Sequence, residues 1–180
     1  MKAIIRLFWQ VCLLRLGPQD LPYSTTLFSL IILGYVGVNL AQGTFYQPLT
    51  SAIWQTCILL SVDLLFLAVV LYLRTKIARY IQTACAILGV NTLINVLILP
   101  VALIHVTFIA QINNELALFA LGMLFLILVL GINIWLIVIN SHIFRHALDV
   151  PFAGGLFVAL ALMASDFLAY YLFIAENMTT

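Results

Sequence analysis

The chain has 180 residues, of which 66% are apolar and only 7% are charged, and its formal net charge is +1. So few polar residues cannot cover a soluble core of this size, and such a composition indicates an integral membrane protein. Seven scattered basic residues also exclude a nucleic-acid-binding surface, which requires a dense basic patch.

The first sixteen residues, MKAIIRLFWQVCLLRL, predict a short amphipathic helix that is not a membrane span. In a helix, Lys2, Arg6 and Gln10 lie on one stripe, and apolar side chains form the wide opposite face. We expect this helix to lie in the cytoplasmic interface of the bilayer, with Trp9 near the headgroups. The alternative is that it packs against the other helices, and the sequence favours neither arrangement.

Residues 17–180 are predicted to form a single membrane domain with five spanning helices. Each long apolar stretch approaches or exceeds the ~20 residues that a helix needs to cross ~30 Å of hydrocarbon. The stretches cover residues 24–42, 51–73, 79–106, 116–141 and 151–175. The fold class is therefore all-α, an integral membrane protein of five transmembrane helices preceded by the interfacial helix over residues 1–16.

The positions of the basic residues predict the orientation of these spans. Lys and Arg beside spanning helices stay in the cytoplasm, and the loops at 43–50 and 107–115 contain neither. With five spans, the N-terminus is then cytoplasmic and the C-terminus is outside. We expect the basic side chains to contact anionic lipid headgroups at the cytoplasmic face. They are Lys2, Arg6, Arg15, Arg74, Lys76, Arg79 and Arg145.

Four polar residues at membrane depth form the candidate site. Counted from the basic ends of their spans, Asp63 and Asn91 share a level near the midplane, and Asp166 and Asn95 share a more external one. Asn91 and Asn95 lie on one helix face and could offer an amide to each carboxyl. No Lys, Arg or His stands in the middle of a span to pair with the carboxyls, so we expect both to be uncharged at neutral pH. The sequence favours hydrogen bonds that join helices over a proton- or cation-coupled pathway.

A second cluster lies in the segment NSHIFRHALDV, residues 140–150. His142, His146 and Asp149 are spaced four and three residues apart, so a continuing helix would align them. Three ligands without a fourth make an incomplete metal site, and histidines here more often interact with the end of a helix. We therefore expect no metal. The sequence contains no hydrolase, ATPase or redox motif, and predicts a protein that is not an enzyme and needs no cofactor.

Two longer segments carry a family resemblance. The third span opens with RYIQTACAILG, residues 79–89, and the fourth ends with WLIVINSHIFRHAL, residues 135–148. With the N-terminal helix and five spans, they resemble the bacterial branch of the Yip (Ypt-interacting protein) domain family. The resemblance implies a multi-pass protein of the bacterial inner membrane, without a catalytic centre, that acts as a scaffold or accessory subunit. Its partners would be another membrane protein or a second copy of the chain. The alternative function is a small proton- or cation-coupled carrier or channel subunit that uses Asp63 and Asp166.

Overall fold

A computed structural model describes residues 2–108 and 115–175 of the chain, and every secondary-structure element in these ranges is helical. The long elements are α1 Lys2–Cys12, α2 Thr25–Gly43, α3 Leu49–Leu73, α4 Tyr80–Phe108, α5 Glu115–Leu148 and α6 Phe152–Ala169. Short 3₁₀ turns lie at Pro18–Asp20 and Ile77–Arg79, and α6 continues as a π-helical segment, Tyr170–Ala175.

Helices α2 to α6 are each long and apolar enough to cross a membrane. This identifies a multi-pass membrane protein and confirms the five predicted spans, whose bounds agree with the helices to within a few residues. The exception is the fourth span, which continues beyond residue 141 to Leu148. The helix extends because residues 142–148 contain neither Gly nor Pro, so nothing in the sequence stops it before Asp149.

The centre of the bundle is the first half of α4, where residues 83–90 are all buried. Helices α1, α2 and α5 pack around α4, while α6 packs most extensively against α5 and also against α3. Because α3 contacts both α2 and α6, polar side chains from these three helices meet inside the bundle.

Helix α1 lies against α4 through one part of its apolar face. Phe8 and Val11 are buried, whereas Ile5 and Trp9 remain exposed on the outer surface. The close approach requires Gly89, since a Cβ atom there would lie 2.3 Å from Cε1 of Phe8. The structure therefore shows α1 packed on the bundle with further apolar side chains directed away from it.

Helix α5 has two parts with different surroundings. Between Leu116 and Trp135 most of its large apolar side chains are exposed, while Ile139, Ile143, Phe144 and Leu148 are buried in the core. A helix of 34 residues is about 51 Å long, well over the ~30 Å of hydrocarbon in a bilayer. The exposed part has the surface of a lipid-facing helix, and the buried part belongs to the protein core around α1 and α4.

Candidate functional site

The Asp63 carboxyl group lies in the middle of α3, and its side chain is directed into the bundle. The residue is only 7% exposed, and its Oδ2 atom accepts a hydrogen bond from the Tyr35 hydroxyl at 3.3 Å. Tyr35 is itself buried, in the middle of α2. The bond therefore joins α2 and α3 near the centre of the protein.

Asp166 of α6 is the second carboxyl group at this level. It lies within electrostatic range of Asp63 and of Tyr35. It also lines a cavity of about 340 Å³ between α3, α4, α5 and α6, which we call the central cavity. Among the polar side chains lining the central cavity are Asn91 of α4 and Asn133 and Asn140 of α5. The fold thus places the Asp166 carboxyl and three amides around one cavity, with the Asp63 carboxyl within electrostatic range.

Several buried oxygen atoms of these side chains have no hydrogen-bond partner within residues 2–108 and 115–175. They are Asp63 Oδ1, Asn91 Oδ1, Asn140 Oδ1 and Asp166 Oδ1. The two amide oxygens are acceptors, whereas a carboxyl oxygen accepts when the group is ionised and can donate when it is protonated. Burying a polar atom is costly unless it is paired, and three of these four side chains, Asn91, Asn140 and Asp166, line the central cavity.

A second cavity lies nearer the end of the bundle opposite to Arg74 and Arg145. We call it the polar pocket; its volume is about 330 Å³. Its polar lining comes from Tyr35, Asn39, Gln42, Tyr46, Gln47, Gln55, Thr56 and Tyr170, and none of the described residues that line it is charged. Leu59 and Tyr170 line both the polar pocket and the central cavity, so the two are neighbours.

Tyr170 owes its position to the end of α6. The helix changes there from α- to π-helical winding, and the Tyr170 N–H is directed to the carbonyl oxygens of both Asp166 and Phe167. Short π-helical segments are rare and occur often at functional sites, because the extra residue per turn redirects the side chains that follow. Here Tyr170 stands one turn beyond Asp166, between the two cavities.

Sequence reasoning identified only part of this site. Asp166 and Asn91 both line the central cavity, and Asp63 lies within electrostatic range of Asp166, but neither Asp63 nor Asn95 is among the lining residues. Asp63 bonds to Tyr35, not to an asparagine amide, within the described part of the chain. Tyr35, Asn133, Asn140 and Tyr170 were missed. Asn133 and Asn140 had a usable signal, since polar residues seven apart lie on one helix face.

At the other end of the bundle, Arg79 and Lys76 bind Asp149. Lys76 Nζ lies 2.7 Å from Oδ2 of Asp149, and Arg79 Nη1 lies 3.0 Å from its Oδ1. The same Arg79 nitrogen donates to the carbonyl oxygens of His146 and Ala147 at 3.0 and 3.1 Å. These are orphan carbonyls in the last turn of α5, so Arg79 caps that helix.

The remaining basic side chains have a different environment. The side chains of four arginines are exposed: Arg6, Arg15, Arg74 and Arg145. Lys2 is the first residue of α1. Of the residues predicted to contact headgroups, Lys76 and Arg79 thus have partners within the protein, and these four arginines remain available to the surroundings. Trp9, at 48% exposed, is likewise available.

The histidine cluster is only partly assembled. The rings of His142 and His146 stand edge to face with centroids 4.5 Å apart, but Asp149 is bound to Lys76 and Arg79 instead of joining them. Across the described ranges, no three His, Cys, Asp or Glu side chains are grouped so as to hold a metal ion.

The Asp149 ion pairs predict an acid-sensitive contribution to stability. Hydrogen bonds from Arg79 and Lys76 lower the pKa of Asp149 from 3.8 to about 2. Because the folded-state pKa is the lower one, the stabilisation is fully present above about pH 4 and is lost as the pH falls towards 2. Thermal melts in detergent should show the parent melting above Asp149→Asn at pH 5, with the difference shrinking by pH 2.5. An equal difference at both pH values would contradict the assignment.

Comparison of the chain with protein-family models, with curated proteins and with solved structures finds no match.

Proposed function

We propose that this protein is a non-enzymatic carrier or channel subunit, in which Asp63 and Asp166 bind and release a proton or a small cation. The observation that carries the proposal is the arrangement of two carboxyls inside the bundle, without a basic partner among the described residues, at a cavity lined by Asp166 and three asparagines. This conclusion reverses the preference drawn from the sequence, which favoured helix-joining hydrogen bonds.

Hydrogen bonds that only join helices would leave few acceptors unused. In that case the asparagine amides would donate to the carboxyls, and each buried oxygen would be paired. Instead, Asp63 has one hydrogen bond, from Tyr35, and its second oxygen is unpaired within the described residues, as is Oδ1 of Asp166. Within the described residues the carboxyls are thus not joined to the asparagine amides, as a network that only holds helices together would require.

Electrostatics point to what binds. Two carboxylates held close together in a low-dielectric interior repel each other strongly, and no basic side chain pairs with either in the described structure. The pair is stabilised when at least one of the two groups is protonated or when a cation binds near them. Intramembrane carboxyls of this kind are typical of proton and ion pathways.

Tyr35 provides a connection from the pair to the polar pocket. Its side chain lines the pocket, while its hydroxyl donates to Asp63. A hydroxyl can pass its proton to a carboxylate and accept another on its open side, so charge balance is kept at each step. We infer that the polar pocket is the outer entrance and the central cavity is the binding position.

A flux assay tests the proposal. Purified protein is reconstituted into liposomes that contain a pH-sensitive dye, and a potential is imposed with potassium and valinomycin. We expect liposomes with the parent protein to show a proton or Na⁺ flux well above that of protein-free liposomes. In Asp63→Asn and Asp166→Asn, this flux should be at least about tenfold lower. An amide keeps the shape and hydrogen bonding of the side chain but does not titrate in the physiological range.

The matched control is Asp149→Asn, which changes an aspartate at the basic end and should leave the flux unchanged. Detergent melts show whether the asparagine variants remain folded. Absence of flux in the parent, or equal flux in parent and both variants, would overturn the proposal.

The proposed orientation has the N-terminus in the cytoplasm and the C-terminus outside, in a bacterial inner membrane. It is supported by the exposed Arg74 and Arg145, which lie at the same end of the bundle as Lys76 and Arg79. Within it, the exposed apolar face of α1 and Trp9 lie in the cytoplasmic interface.

A fusion series tests this orientation. Alkaline phosphatase, which is active only outside the cytoplasm, should be active when fused after Ala175 and inactive when fused after Arg74 or Arg145. A cytoplasm-active reporter at the same positions should give the reverse pattern. Phosphatase activity after Arg74 would contradict the proposed orientation.

A scaffold or accessory subunit of the Yip-like type is the second candidate function. In that role, the exposed apolar side chains along the first part of α5 would contact a helix of another membrane protein or of a second copy in place of lipid. Affinity purification in mild detergent, followed by identification of co-purifying proteins, tests it. A single recurrent partner together with no flux in liposomes would favour the scaffold.

A further inference from the structure

We propose that the polar pocket binds a small organic ammonium ion, either a protonated amine or a quaternary ammonium. The inference rests on the proposed function, because it names the class of cation that the Asp63 and Asp166 pair would attract.

The lining has the chemistry of an ammonium site. Three tyrosines, Tyr35, Tyr46 and Tyr170, border the pocket, and aromatic rings attract ammonium groups through their negative faces. Amide oxygens of the neighbouring side chains can accept hydrogen bonds from a protonated amine. They belong to Asn39, Gln42, Gln47 and Gln55, of which Gln47 and Gln55 are hydrogen-bonded to each other across the α2 and α3 connection.

The charge around the pocket selects cations over anions. Among the described residues, no Lys, Arg or His lines the pocket, and Tyr35, which does line it, donates its hydroxyl to the Asp63 carboxyl. In the sequence, all seven basic residues lie outside the stretches that build the pocket. An anion would therefore find no counter-charge, whereas a cation is attracted by the acidic pair whenever one of its carboxyls is ionised.

The size of the pocket restricts the ligand to a small one. A volume of about 330 Å³ is at the lower end of the range of small-molecule sites. It suits an ammonium ion with a few carbon atoms.

Binding is measured by isothermal titration calorimetry on the full chain in detergent micelles. The probes are tetramethylammonium and methylammonium chloride; potassium chloride at equal ionic strength and glycerol serve as controls for ionic and neutral polar binding. We expect one or both ammonium probes to bind with 1:1 stoichiometry, and neither control to compete. A preference for tetramethylammonium would assign recognition to the rings, and a preference for methylammonium to the amide oxygens.

Variants locate the binding. Tyr46→Ala and Tyr170→Ala should each weaken ammonium binding about fivefold to thirtyfold, since a cation–π contact contributes on this scale. Tyr46→Phe keeps a ring and should bind as the parent does. Tyr72→Ala removes an exposed tyrosine near the opposite end of α3 and is the matched control. The proposal is overturned if neither ammonium probe binds, if glycerol competes equally, or if Tyr46→Ala and Tyr72→Ala have the same effect.

The outcomes separate this inference from the proposed function. Proton or Na⁺ flux through the Asp63 and Asp166 pair without ammonium binding would overturn only the ammonium site. Ammonium binding without flux of any of these ions would keep the site and overturn the carrier or channel.

Discussion

Replacing Gly155 with alanine is expected to lower the free energy of unfolding by about 1–3 kcal/mol or more, because the added methyl group has no room. A Cβ atom at Gly155 would lie 2.3 Å from the carbonyl oxygen of Ser141 and 2.9 Å from the Arg145 nitrogen. Both are backbone atoms of α5, which cannot rotate aside as a side chain can. The separation of α5 and α6 would then have to increase, with loss of their packing. Thermal and denaturant unfolding in detergent measure the change.

The matched control is Gly131→Ala in α5, where a Cβ atom would meet nothing within 4 Å. Alanine favours helix by about 1 kcal/mol over glycine, so this variant should be as stable as the parent or more so. The two substitutions are chemically identical and differ only in their surroundings. If Gly155→Ala melted like Gly131→Ala, the close contact of α5 and α6 would be contradicted.

The membrane helices could be predicted from the sequence because their cause is local. In lipid, the backbone N–H and C=O groups of a run of about twenty apolar residues must bond to one another. Such a run therefore forms a helix whatever its neighbours are. The extension of α5 to Leu148 also had a local cause, the absence of a helix-breaking residue. The burial of this last part of α5 in the core around α1 and α4, in contrast, depends on tertiary packing.

The partners of the polar residues could be predicted only in part, because sequence spacing gives depth along a helix but not rotation about its axis. Asp63 and Asp166 were predicted to lie within the second and fifth spans, and both lie in helices long and apolar enough to cross a membrane. That Asp63 meets Tyr35 depends on how α2 and α3 face each other, which no spacing within either helix determines. The same limit explains why Asn91 but not Asn95 lines the central cavity.

The position of Asp149 was predicted wrongly for a second reason, because the prediction assumed that the helix continues through it. Helical spacing aligned it with His142 and His146, but α5 ends at Leu148 and Asp149 has a φ of 52°, in the left-handed region. Aspartate tolerates this conformation better than most residues, and a residue in this conformation commonly ends a helix. The side chain therefore leaves the histidine face and binds Lys76 and Arg79.

The contact of α1 with the bundle predicts a non-additive effect between Phe8 and Gly89. Phe8 is 5% exposed, so Phe8→Ala should lower the free energy of unfolding by about 3–5 kcal/mol. Gly89→Ala alone places a methyl group against the Phe8 ring and should cost about 1–3 kcal/mol. In the double variant the methyl group added at position 89 occupies space that the ring has vacated. We expect its loss to be smaller than the sum of the single losses by about 0.5–3 kcal/mol.

Denaturant unfolding of the four proteins in detergent gives the coupling energy, and Trp9→Ala is the control on the exposed face of α1. Because Trp9 is directed away from the bundle, its removal should change stability in detergent much less than Phe8→Ala does. Additive losses from Phe8→Ala and Gly89→Ala would mean that α1 does not rest on α4. The helix would then be held by the membrane interface alone, and Trp9→Ala would be the variant that releases it from liposomes.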